Sequence, residues 1–202
     1  MNKPACATME QPQIRPYTLS LSSGARAALK HQQPCCLWLT GLSGAGKSTL
    51  ANLLELRLNE LGLHTFVLDG DNVRTGLCRD LGMDAQARKE NIRRMSEVAR
   101  LMVEAGLVVI VSAISPFRVE RDAARALFAT GQFFEVYIST PFDTCAQRDP
   151  KGLYKAAREG RIKNFTGLDS PYEAPLQAEC EIDTTSMALP EAIRCLLQLL
   201  QR

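Results

Sequence analysis

The chain has 202 residues, 46% hydrophobic and 23% charged, with 24 basic against 22 acidic side chains and a net charge of +2. That length suits one domain with a sizeable core, and that balance provides no global field for nucleic acid or a membrane surface. No apolar run approaches the roughly 18 residues of a membrane span, and the N-terminus lacks the apolar core of a signal peptide, so the expected location is the cytoplasm.

In chain order, residues 1–33 carry Pro4, Pro12 and Pro16 and read as an N-terminal arm, disordered at its start, with a short helix at 25–31. A single domain over 34–202 follows. Its first strand is the apolar run Cys35–Thr40, and a helix is predicted over 47–61, stopped by Gly62. A second strand covers 64–68 and closes on Asp69-Gly70-Asp71. Charged helical sequence then runs over 71–105, broken around 80–84. The β-branched run at 107–112 is a third strand, buried on both faces. Pro116 opens a helix to about 130, residues 132–138 form a fourth strand, and Pro141 opens another helix. Residues 148–175 are rich in glycine and charge and suit a mobile flap or lid. A fifth strand at 179–183 and an amphipathic helix at 189–200 complete the chain. Strands alternating with helices predict a three-layer α/β/α fold with a five-stranded parallel sheet. Seven cysteines, an odd number with no C-x-x-C, fit reduced thiols rather than a disulfide framework or a zinc site.

Between the first strand and its helix stands Gly41-Leu42-Ser43-Gly44-Ala45-Gly46-Lys47-Ser48, followed by Thr49. The pattern G-x-x-x-x-G-K-S in a strand–loop–helix context is a phosphate-binding loop: backbone N–H groups cradle phosphates, Lys47 reaches the β- and γ-phosphates, and Ser48 sits on Mg²⁺. The expected class is therefore a P-loop NTPase fold of nucleotide-kinase type. Ligands of such sheets bind beyond the C-terminal strand ends, where the loop, Asp69 to Asp71 and Ser112 to Ser115 all lie. If residues 69 and 71 are extended, they share a face, and two carboxylates there can hold Mg²⁺ and orient an attacking hydroxyl. Asp71 is equally a candidate N-cap. On the next helix Arg88, Asn91 and Arg94 share one face, which by charge pattern alone reads as solvated surface. Arg148 and Lys151 in the flap are candidate cations closing over a triphosphate, and Phe165 is either a stacking surface for a base or a core anchor.

The motifs GLSGAGKST at 41–49, LDGDNVR at 68–74, RKENIRR at 88–94, ISPFR at 114–118, RDPKGLYKAAR at 148–158 and NFTGLDSPYEAP at 164–175 together resemble the adenylylsulfate kinase family. The resemblance implies ATP-dependent phosphorylation of the ribose 3′-hydroxyl of adenylyl sulfate in sulfate assimilation, with Mg²⁺. It implies that Arg74, Arg88, Asn91, Ile114 and Phe165 bind the sulfate-bearing nucleotide, with Asp69 and Asp71 at the metal and acceptor ribose. It places Lys151 near the phosphates, Arg148 near the ATP base, and Ser115 at a serine described as a phosphorylated intermediate. Met83 stands where the family has an aromatic completing an adenine clamp, and Ala113 where a bulkier aromatic is common. A homodimer is expected, with functional association to ATP sulfurylase as an open possibility. For Ser115 three readings stand: a covalent relay, a site residue beside direct transfer, or a helix cap. With neither histidine placed near the crevice to act as its base, direct transfer is favoured.

Overall fold

Every residue of β1 (Cys35–Thr40) is buried, and the strand is flanked by a parallel partner on each side. A computed structural model describes Arg15 and residues 17–201; the expected disorder at the start of the arm lies outside them. The sheet contains β1, β2 (Thr65–Asp69), β3 (Val108–Ser112), β4 (Phe133–Ile138) and β5 (Cys180–Ile182) in the order β2-β3-β1-β4-β5, all pairs parallel. Side chains alternate across β1 with the strand period of two. Cys35, Leu37 and Leu39 enter one core, while Cys36 and Trp38 enter the other. The first core lies under α2 (Lys47–Glu60) and α8 (Leu189–Leu199), and the second under α4 (Ala85–Glu104). The predicted layers and strand number are all present, with element ends shifted by a few residues.

Three expectations need correction. The helix expected at 25–31 lies two residues earlier, and the end of the arm is tied to the domain. Helix α1 (Ser23–Leu29) is capped by Ser22, and the buried Gln32 amide donates to the His64 and Gly106 carbonyls while accepting from the His64 amide. Its hydrogen bonds replace those a paired backbone would make.

The helix expected from Pro116 is α5 (Arg118–Arg125), which begins two residues later. Its N-cap residue Phe117 has no oxygen to offer as a cap, so Glu173 accepts from the Arg118 amide instead, at 2.9 Å.

The flap is tightly anchored. It contains α7 (Leu153–Arg158), whose Tyr154 is buried, and Phe165 packs edge-on against that ring at 4.9 Å. Composition showed the flap's charges, but not that two aromatics tie it into the core. Among the described residues no helix is long and apolar enough to cross a membrane.

Candidate active site

The loop after β1 wraps closely on its neighbours. A Cβ on Gly44, whose φ is +76°, would lie 2.8 Å from the Cys145 carbonyl oxygen; one on Gly41 would lie 2.5 Å from that of Ile138. Only glycine fits such an approach. Helix α2 starts at Lys47 behind Gly46, with neither a side-chain cap nor an acidic residue in its first turn. Its first amides are therefore available to an anion. Lys47 is buried and donates to the carbonyls of Gly41 at 2.9 Å and Leu42 at 2.7 Å. Burial lowers its pKa from 10.5 to about 8, outweighing the pull of nearby Asp69 and Asp71.

Asp69 performs two tasks. One carboxylate oxygen caps α3 (Gly70–Arg74), accepting from the amides of Asp71 and Asn72, while the other accepts from Ser48 Oγ at 2.7 Å. Burial pushes its pKa up, but the hydrogen bonds from Ser48 and the two amides win and hold it below the ordinary value. Asp71 was one candidate cap, and a shared face for residues 69 and 71 depended on both being extended. In fact Asp71 sits in the first turn of α3, and Lys151 of the flap forms an ion pair with it. Both carboxylates nevertheless line the crevice. Ser112, which the sequence placed at the crevice but gave no role, sets its hydroxyl 3.2 Å from that of Ser48.

Two cavities adjoin here. One, of about 670 Å³, is lined by loop residues including Lys47, Ser48 and Thr49, by Arg148 and Lys151 from the flap, and by Thr184. The other, of about 100 Å³, is lined by Arg74, Arg88, Asn91 and Ser115. They share Gly70, Asp71, Ala113 and Ile114 as a common wall. Asn91 is buried, and its Oδ1 has no hydrogen-bond partner. A buried acceptor left unpaired costs about 1–3 kcal/mol. Arg88 donates to the carbonyls of Met83 and Asn164 and to the Thr166 hydroxyl, and Arg74 donates to the Gly82 carbonyl. Arg94 turns away, to Asp80 and Glu90, and is part of a surface ion-pair network.

Phe165 is only 8% exposed and packs on Tyr154, Met83 is 64% exposed, and neither lines the smaller cavity. The capping reading of Ser115 fails, because Phe117 is the N-cap position of α5. Ser115 has φ +39° and is 1% exposed; its Oγ accepts from Trp38 Nε1 at 3.0 Å and faces the Ala113 carbonyl at 3.4 Å. No general base is among these partners. Arg121 was missed altogether. It is buried and donates to Glu135, to the Ser115 carbonyl and to the Glu173 carbonyl, holding the loop after β3 in place. An arginine inside a charge-rich helix gives no sign of such burial in sequence.

A phosphate-binding loop at the centre of a parallel sheet, facing a second polar cavity across a shared wall, defines a P-loop phosphotransferase of nucleotide-kinase build. The sequence profile of the Adenylylsulphate kinase family matches residues 33–183. An adenylyl-sulfate kinase of Shewanella sp. (strain MR-4) is 61% identical over 181 residues, covering 90% of this chain and 88% of the relative. The Mycobacterium tuberculosis APS kinase solved in complex with AMPPNP and APS superposes with a TM-score of 0.81 at 44% identity, covering 85% of this chain and 99% of that one. A hexameric APS kinase from Thiobacillus denitrificans aligns at 33% identity and TM-score 0.64, over 85% of this chain and 29% of that one. The chain belongs to the adenylylsulfate kinase family.

Proposed function

We infer that the chain transfers the γ-phosphoryl of ATP to the ribose 3′-hydroxyl of adenylyl sulfate, giving 3′-phosphoadenylyl sulfate and ADP. The observation that carries this reading is the wall shared by the two cavities, which sets a phosphate cradle beside a cation-lined acceptor pocket. In this reading residues 41–49 and Arg148 bind ATP, and Lys47 bears on the transferring group. Arg74, Arg88, Asn91 and the Ile114 backbone hold the acceptor nucleotide, with the orphaned Asn91 oxygen receiving one of its donors. Asp71 orients the ribose hydroxyl, and Lys151 exchanges its ion pair with Asp71 for the phosphates. Ser115 shapes the pocket while transfer proceeds directly. Phe165 and Met83 would border the adenine only after the flap loop has shifted.

The donor chemistry fits Mg²⁺. Ser48 and Asp69 present hard oxygens, the carboxylate is held ionised, and no cluster of three or more His, Cys, Asp or Glu surrounds a metal position among the described residues. Mg²⁺ typically takes one or two such groups together with substrate phosphates and water, and neutralises charge on the phosphates. We further propose a homodimer, in line with self-association in the hexameric relative, and functional association with the ATP sulfurylase that supplies the acceptor.

The test compares ATP turnover with adenylyl sulfate and with adenosine monophosphate. Turnover specific to adenylyl sulfate is expected, and Arg88→Ala should raise KM for that substrate tenfold or more while moving KM for ATP far less; breaking a buried charge pair costs about 2–5 kcal/mol. Equal turnover of adenosine monophosphate, or equal loss for both substrates, would exclude this reading of the smaller cavity.

A further inference from the structure

Thr184 lies just past β5, in a segment that carries none of the family motifs, yet it touches the loop, the flap and the next strand end at once. Its Oγ1 lies 3.1 Å from the Ala45 carbonyl, 2.8 Å from Thr140 Oγ1, and 2.7 Å from an Arg148 guanidinium nitrogen. Thr140 Oγ1 is itself 3.0 Å from the Ala45 carbonyl. Each hydroxyl has one proton and two lone pairs. If both donated to Ala45, two oxygens 2.8 Å apart would face each other with no proton between them. One threonine must therefore donate to the other, which donates to Ala45. In either order Thr184 accepts from Arg148, which makes only acceptor-seeking contacts here: a second at the Thr184 carbonyl, 3.3 Å, and a third at Gly44, 3.5 Å. Thr184 Cγ2 also lies 3.3 Å from where a Cβ on Gly46 would stand.

We propose that Thr184 is a positioning residue for the ATP base: its hydroxyl joins the Arg148 guanidinium to the Ala45 carbonyl, so that base platform and phosphate cradle form one rigid unit. The cavity supports this directly. Arg148, Pro150, Thr184 and Leu189 line the larger cavity, and none of them lines the acceptor pocket. A planar guanidinium among apolar side chains suits the face of a purine ring. Fixing that plane by hydrogen bonds before ATP arrives spares the ordering cost of a long side chain on binding. The inference rests on the reading of this cavity as the ATP site, but not on the identity of the acceptor.

The experiment is therefore calorimetric titration of the protein with AMP-PNP and Mg²⁺, alongside steady-state kinetics. Thr184→Val keeps the volume and removes the hydroxyl. Losing a hydrogen bond to a charged group should weaken AMP-PNP binding and raise KM for ATP about tenfold, with KM for adenylyl sulfate moving less than twofold. Thr184→Ser should restore ATP affinity. Arg148→Ala should also weaken ATP binding, and Thr184→Val should then add little in that background. Wild-type affinity in Thr184→Val, full additivity with Arg148→Ala, or equal loss for both substrates would overturn the proposal. If Thr184→Val fails to fold, Thr184→Ala and Thr184→Ser carry the same comparison. A wild-type protein that binds AMP-PNP but ignores adenylyl sulfate would instead overturn the function proposed above and leave Thr184 tested.

Discussion

At the scale of single residues, the chemistry turns on where burial and charge compete. Lys47 is the sharpest case. Its folded pKa of about 8 lies below its ordinary 10.5 because burial disfavours the ammonium. Between those values the unfolded chain holds a proton that the folded chain has lost, so this group's contribution to stability rises with pH across that window. Below about 8 the buried charge is retained and opposes folding. A triphosphate reverses the balance, since its negative charge favours the ammonium. ATP binding should therefore take up a proton near pH 8.5 and weaken as pH rises to 9.5. Titrations in buffers of different ionisation enthalpy will show it, and Lys47→Met should abolish both the uptake and nearly all turnover. Flat affinity from pH 7.5 to 9.5 would mean that the lysine is charged throughout. The loop and Asp69 were legible in sequence because motif and spacing reflect local geometry, whereas charge pattern alone read Arg88 as solvated surface and only the family resemblance gave it a role. The roles of Thr184 and Arg121 were not legible, because each depends on partners far away in the chain.

At the scale of elements, the crevice is held by loops tied together through α5. Arg121 joins β4, through Glu135, to the Ser115 carbonyl and to the Glu173 carbonyl, with side chains only 1% and 9% exposed in the ion pair. Such a pair adds little over an apolar substitute, but removing Arg121 leaves the buried Glu135 with only the longer, 3.6 Å ion pair to Arg125. Arg121→Ala should therefore cost about 3–5 kcal/mol and lower Tm by about 10 °C or more, measured by thermal unfolding. Loss of less than 1 kcal/mol would show that water readily reaches Glu135. Strands were read well because β1 and β3 are unbroken apolar runs, buried on both faces. Helix α5 and the flap were read less well. The Glu173 cap comes from another segment, and glycine content masks the anchoring of Tyr154 and Phe165.

At the scale of the molecule, the sheet order places β1 between β3 and β4, so the phosphate loop opens where the chain switches from one side of the sheet to the other. Strand–helix alternation predicted a parallel sheet with ligands beyond its C-terminal strand ends, but not this strand order. What alternation did not reveal was how the strand ends divide the crevice into two cavities with a shared wall. The division favours one in-line step. ATP and acceptor can meet across Gly70–Asp71 and Ala113–Ile114, while Ser115 Oγ is engaged by Trp38 with no base among its hydrogen-bond partners. The most direct measurement uses ATP made chiral at the γ-phosphorus and follows its configuration into the product. One displacement inverts that centre, and inversion is the expected result, with Ser115→Ala retaining part of its turnover. Retention of configuration together with complete loss of turnover in Ser115→Ala would contradict direct transfer and establish a phosphoserine relay.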